Sequence, residues 1–213
     1  MSMHLASLLS FLLTMTGVNL MHAQVKDGFT LVKREGSVSI YEKWVNYPGA
    51  NPPVKSREMK AEFYYHNSIY AGLRLLRNES MITKWQGHVS EFKIYPQRDT
   101  ATWHEYSYHD IPWPVSDQDH FMEYKISVHR PGMLVVSFRS KVNNTLAPLR
   151  KGASRMILNG TWTLEEIAPG KVKATYLVLS KPADIPRIFT DPVVRNNIVT
   201  TMQQFISILE KKV

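Results

Sequence analysis

The sequence predicts an α+β domain: a curved antiparallel β-sheet wrapped around one long C-terminal α-helix, with a short helix after the third strand. Three observations carry this. Strand-like runs rich in β-branched and aromatic residues dominate from Phe29 to Ser180. The period turns helical once on the way, at Ile69, Leu73 and Leu76. The closing segment after Asp191 is helical throughout. Strands in runs with segregated helices make an α+β domain.

The elements follow in order. "FTLVKREG" and "SVSIYEKWV" flank Glu35-Gly36 and predict a hairpin. The Pro- and Gly-rich "NYPGANPPV" is a loop, and "SREMKAEFYYH" is the third strand. "NSIYAGLRLLRNE" is a short amphipathic helix capped by Asn67 or Ser68, and "MITKWQG" is a connection. Strands resume with "HVSEFKIY", "TATWHEYSYH", "HFMEYKISVH", "GMLVVSFRSKV", "RMILNGTWTLEEI" and "KVKATYLVLS". Met122, Tyr124, Ile126 and Val128 alternate with Glu123, Lys125 and Ser127, as in a sheet with one buried face. In the last helix Asp191 is the expected N-cap and Pro192 the first helical residue. Val194, Ile198, Met202, Phe205 and Leu209 recur at helical spacing, and Lys211 and Lys212 suit the negative end of the dipole. Such a helix of about 20 residues is ~30 Å long, enough to cross the sheet. A cavity remains wherever the facing side chains do not fill the space.

Composition narrows the function. The apolar run "LASLLSFLLTMTGVNLM" followed by "HAQ" has the layout of a signal peptide over residues 1–24, leaving residues 25–213 as one exported domain, periplasmic or extracellular. The absence of cysteine excludes disulfides and thiolate metal sites. The net charge is +8, and every Lys and Arg follows residue 24. That charge is dispersed, which reads as a basic surface able to touch an anionic membrane transiently rather than as a nucleic-acid site.

The densest motif is "HDIPWPVSDQD", residues 109–119. Pro112 and Pro114 cannot donate to a ladder and belong at a strand end, while Asp117 and Asp119 can fix a turn. The motif reads as a corner. His104, His109, His120 and His129 lie on neighbouring strands, with Asp110 and Asp119 close in sequence, so a His/Asp pair for acid–base chemistry is the alternative. Alternation sets His104 and His109 on opposite faces, and His129 shares the solvent parity of Glu123 and Lys125. No HExxH, phosphate loop, GxSxG or dinucleotide fingerprint occurs. Asn78, Asn143 and Asn159 begin glycosylation sequons.

Aromatic and methionine side chains concentrate on the strands and last helix. The expected cavity residues are Trp103, Tyr106, Tyr108, Trp113, Met122, Tyr124, Phe138, Met156, Ile198, Met202 and Phe205, with Trp162 and Tyr176 in the same apolar set. Methionine adapts to irregular apolar shapes, and ligand cavities are mainly apolar with a few polar anchors. Arg139, Arg150, Lys151 or Arg187 could meet an anionic head group.

Over residues 28–211 the chain resembles START-like lipid-binding domains of the helix-grip (Bet v 1-like, SRPBCC) superfamily. The resemblance rests on the element order, on Trp85, on "PWPVSDQD" at Pro112–Asp119 and on "KPADIPRIF" before the last helix. Gln118 stands where the family usually has arginine, His120 where it has an aromatic, and Asp184 where it has glycine. The resemblance implies a monomer that binds or carries a lipid or other hydrophobic ligand, with no cofactor and no covalent step. It equally admits a cyclase- or hydrolase-like enzyme using a His/Asp pair in the same cavity.

Overall fold

The computed structural model describes residues 27–113, 116–181 and 187–211, with residues 187–190 as backbone. The leader assigned to residues 1–24 lies outside them, as does most of "KPADIPRIF".

β1 (Thr30–Glu35) and β2 (Val38–Asn46) form the first hairpin, turning at Gly36, whose φ of +56° suits glycine. β3 (Lys55–His66) precedes α1 (Ile69–Leu76). Ser68 is the cap of α1, its hydroxyl accepting from the Ala71 N–H at 3.1 Å. The connection after α1 contains a 3-10 turn, Glu79–Lys84. Then come β4 (Val89–Pro96), β5 (Thr102–His109), β6 (Gln118–Arg130), β7 (Met133–Ser140), the short β8 (Ser154–Arg155), β9 (Leu158–Ala168), β10 (Lys171–Ser180) and α2 (Arg187–Glu210).

The sheet runs β1-β2-β3-β10-β9-β7-β6-β5-β4, antiparallel along this path, with β8 pairing parallel to β6. One face grips α2. Phe205 sits at the centre of that contact, its ring 5.1 Å from Trp85, 5.5 Å from Trp162, 5.9 Å from Phe63 and 6.2 Å from Tyr65. Edge-to-face and offset aromatic packing of this kind adds to the burial energy of the rings. Gly160 on β9 allows a close approach, since a Cβ there would lie 1.9 Å from the Leu177 carbonyl oxygen.

Two local expectations are corrected. α2 begins at Arg187, so Pro192 lies inside the helix and Asp191 is not its cap. Asp191 accepts a salt bridge from Arg57 at 2.7 Å instead. The alternation in β6 breaks at a bulge between Ile126 and Val128, where the register against β7 shifts. Val128 is consequently 39% exposed. His129 is turned against α1, its Nε2 3.1 Å from the Tyr70 hydroxyl.

Candidate functional site

Between α2 and the gripping face of the sheet lies a cavity of about 150 Å³. Strand alternation builds its floor. His120, Met122 and Tyr124 share one face of β6, and Phe138, Leu158, Trp162 and Tyr176 continue it across β7, β9 and β10. Helical spacing builds its roof, with Ile198 and Met202 at i, i+4 and Asn197 and Thr201 beside them. Trp85, Gln86 and Gly87 close one side and Met156 another, and His109 adds an end of β5.

The wall is mainly apolar, with Gln86, Asn197 and Thr201 at its margins and one polar band from the sheet. The rings of His109 and His120 are 5.3 Å apart, and Ser107 Oγ lies 3.0 Å from His109 Nε2. Behind them is Glu105, only 3% exposed, its Oε1 3.6 Å from His120 Nε2. Burial, with His120 and His88 adding to it, pushes the His109 pKa down to about 3, so this ring is neutral at physiological pH. Burial holds the Tyr124 phenol well above its ordinary pKa, and the Glu105 carboxylate raises it further. Burial and then Glu105 raise Tyr176 in the same way. No Lys or Arg lines the cavity among the described residues.

The structure sorts the expected site residues into groups. Met122, Tyr124, Phe138, Met156, Ile198 and Met202 line the cavity. Trp103 and Phe205 are fully buried beside it: Trp103 stacks on Tyr124 at 5.2 Å, and Phe205 anchors the aromatic centre. Tyr106 and Tyr108 do not reach it, because alternation in β5 turns them to the face away from α2. There Tyr106 packs with Phe121 and Ala147, and the Tyr108 hydroxyl donates to Asp117 at 3.0 Å. Trp113 is 92% exposed.

Asp119 also occupies the far face. It accepts from Arg155 Nε at 2.5 Å and Nη2 at 2.8 Å, and from the Tyr106 hydroxyl at 3.4 Å. Asp119 therefore lies across the sheet from His109 and His120, the two candidate histidines in the cavity. Arg155 supplies to Asp119 the arginine that position 118 lacks. Asp117 fixes the corner as expected, accepting from the Ile111 N–H at 3.1 Å. Two of the four basic side chains suggested for a head group are engaged on the surface, Arg139 with Glu123 and Arg150 with Glu91 at 2.5 Å over the Tyr108 ring, while the side chain of Arg187 lies outside the described residues.

Sequence reasoning named His109 and His120 only for the enzyme alternative and missed Ser107 and Glu105 beside them. His120 shares the parity of Met122 and Tyr124, a signal that was present. Glu105 shares that of Trp103, but a carboxylate on a strand ordinarily reads as solvent-facing.

Comparison with solved structures follows the same geometry. The STAR-related lipid transfer protein of Xanthomonas axonopodis superposes with a TM-score of 0.71 at 24% identity, covering 87% of this chain and 100% of that one. Human StAR-related lipid transfer protein 5 gives 0.72 at 12% identity, covering 86% and 87%. The fold is START-like. A more distant likeness reaches the Zhui aromatase/cyclase of a Streptomyces species, with a TM-score of 0.55 at 10% identity over 73% of this chain and 94% of that one. No family model matches the sequence. In sequence, an uncharacterized Pseudomonas aeruginosa protein is 28% identical over 131 residues, 61% of this chain and 63% of that protein. The match thus spans just under two thirds of that relative.

Proposed function

We propose that the protein binds and carries a hydrophobic ligand in the cavity under α2, without covalent chemistry. The observation that carries this is the partly open, mainly apolar cavity between helix and sheet, in a fold shared with lipid transfer proteins. Its volume of about 150 Å³ matches a void that takes one benzene-sized ring, and falls below the ~300–1,000 Å³ of ligand sites. A long-chain ligand therefore has to displace part of the wall.

The packing of α2 supports a movable first half. Val199, Met202, Phe205 and Leu209 are buried, whereas the stretch before them, where Val194 and Ile198 are only partly buried, is also held by polar contacts. Those contacts join Arg195 to Glu42, Arg57 to Asp191, and Lys33 to Asn196. Movement of this half would admit ligand. A crosslink from α2 to the sheet that leaves ligand exchange as fast as before would overturn the gating.

The decisive experiment exposes the purified protein to a total lipid extract and weighs it by native mass spectrometry. A discrete added mass, released by organic solvent, is expected; an unchanged bare mass would overturn the reading. We propose in addition that the protein acts as a monomer after export and cleavage near residue 24. Its basic charge and the exposed Trp113 support transient contact with anionic membranes. N-terminal sequencing of the secreted protein and co-sedimentation with phosphatidylglycerol vesicles test these two points.

A further inference from the structure

We propose that the cavity selects a neutral hydroxyl-bearing ligand, an alcohol rather than a carboxylate or phosphate, and that His120 receives the hydroxyl. This rests on the reading of the cavity as a ligand site. Three features carry it.

His120 is 7% exposed and lines the cavity, yet neither ring nitrogen has a hydrogen-bond partner among the described residues. Its approach to Glu105, 3.6 Å from Nε2 to Oε1, is too long to count as a hydrogen bond. Buried polar groups are almost always paired, so the partner must come from whatever fills the cavity. A neutral imidazole offers one donor and one acceptor, and a hydroxyl is both. Trp85, another wall residue, keeps a buried Nε1–H that is likewise unpartnered and needs an acceptor oxygen.

The charge around this point rejects anions. The wall contains no Lys or Arg among the described residues, so a carboxylate or phosphate would be buried without a counter-charge. A ligand anion roughly 6 Å from the Glu105 carboxylate loses about a hundredfold in affinity at an effective dielectric constant of ~20.

The neighbouring His109 has its Nε2 engaged by Ser107 Oγ at 3.0 Å. In His120 both ring nitrogens are open, with the Trp85 Nε1–H a second open polar group in the same wall.

The test uses the full chain and displacement of the uncharged dye N-phenyl-1-naphthylamine by three matched probes: 1-dodecanol, dodecanoate and 1-chlorododecane. In the wild type the alcohol should bind about tenfold more tightly than the chloroalkane, the worth of one well-made hydrogen bond, and the carboxylate most weakly. His120→Phe should close the gap between alcohol and chloroalkane, and His120→Asn should restore part of the gap. The imidazole nitrogen shifts of His120 in the wild type, followed by NMR during titration with 1-dodecanol, give a readout that needs no variant to fold. They should move. Binding of all three probes without preference, a carboxylate that binds best, or unmoved His120 shifts would overturn this inference and leave the binding reading intact. Failure of any probe or dye to bind overturns both.

Discussion

Glu42 on β2 holds Arg195 of α2 through two parallel hydrogen bonds, Nε to Oε1 at 2.8 Å and Nη2 to Oε2 at 2.9 Å. Arg57 approaches the same carboxylate at 3.1 Å and reaches Asp191 at 2.7 Å. Glu42 is 7% exposed, so this is a largely desolvated four-residue network joining two strands to the first half of the helix. Paired, planar guanidinium–carboxylate contacts are the strong kind.

Glu42→Gln keeps the shape but removes the charge that both arginines share. Stability should fall by about 2 kcal/mol, the scale of one charge-assisted hydrogen bond. Amide hydrogen exchange should accelerate in the first half of α2 and not around Phe205. Uniform acceleration along the helix would show that the network does not act locally.

The opposite face of the sheet has its own buried pair. Asp119 is fully buried, so Arg155→Met strands its carboxylate and should cost about 3 kcal/mol in urea unfolding. Asp119→Asn combined with Arg155→Met should recover part of that loss. A double variant as unstable as the single would show that packing of the arginine, rather than charge balance, is what matters.

Gly160→Ala should be the costliest single-methyl addition in the sheet. Its Cβ would meet the Leu177 carbonyl oxygen at 1.9 Å and Phe138 Cζ at 2.6 Å, and a backbone oxygen cannot step aside as a side chain can. A loss of about 3 kcal/mol or more is expected, the upper range for overpacking. Gly72→Ala meets the Tyr65 hydroxyl at 2.5 Å and Leu164 Cδ1 at 2.9 Å, both side-chain atoms, and should cost less. The order of the two midpoints in thermal unfolding checks this.

Acid should weaken the fold through His109. Folded, this histidine takes its proton near pH 3; unfolded, near 6.5. Between those values the unfolded chain binds more protons, so acidification favours unfolding. The contribution is complete above pH 6.5 and is lost progressively toward pH 3, at up to about 1.4 kcal/mol per pH unit. His109→Phe should flatten the stability profile in that window. A slope unchanged from the wild type would mean that other groups set it.

Much of the architecture was legible because period and punctuation are local. The hairpin at Gly36, the cap at Ser68 and the corner fixed by Asp117 were each written within a few residues. The β6 bulge was not, since "EYKISV" alternates cleanly and only the pairing with β7 inserts the extra residue. Pro192 carries a sound start signal, but the helix continues upstream of it to Arg187. Tyr106 and Tyr108 were misplaced for want of the strand's facing. Their neighbours Glu105, Ser107 and His109 are polar, yet these are the side chains that turn toward α2. An amphipathic rule fails on a strand whose buried face carries the chemistry and whose other face is covered by a loop held by Arg150 and Arg155.

The cavity also makes pressure a way to read the contact between helix and sheet. The space beneath α2, about 150 Å³ per molecule, is partly open to solvent, so water can enter it without unfolding. An occupant that displaces this water should raise the pressure at which the helix lets go.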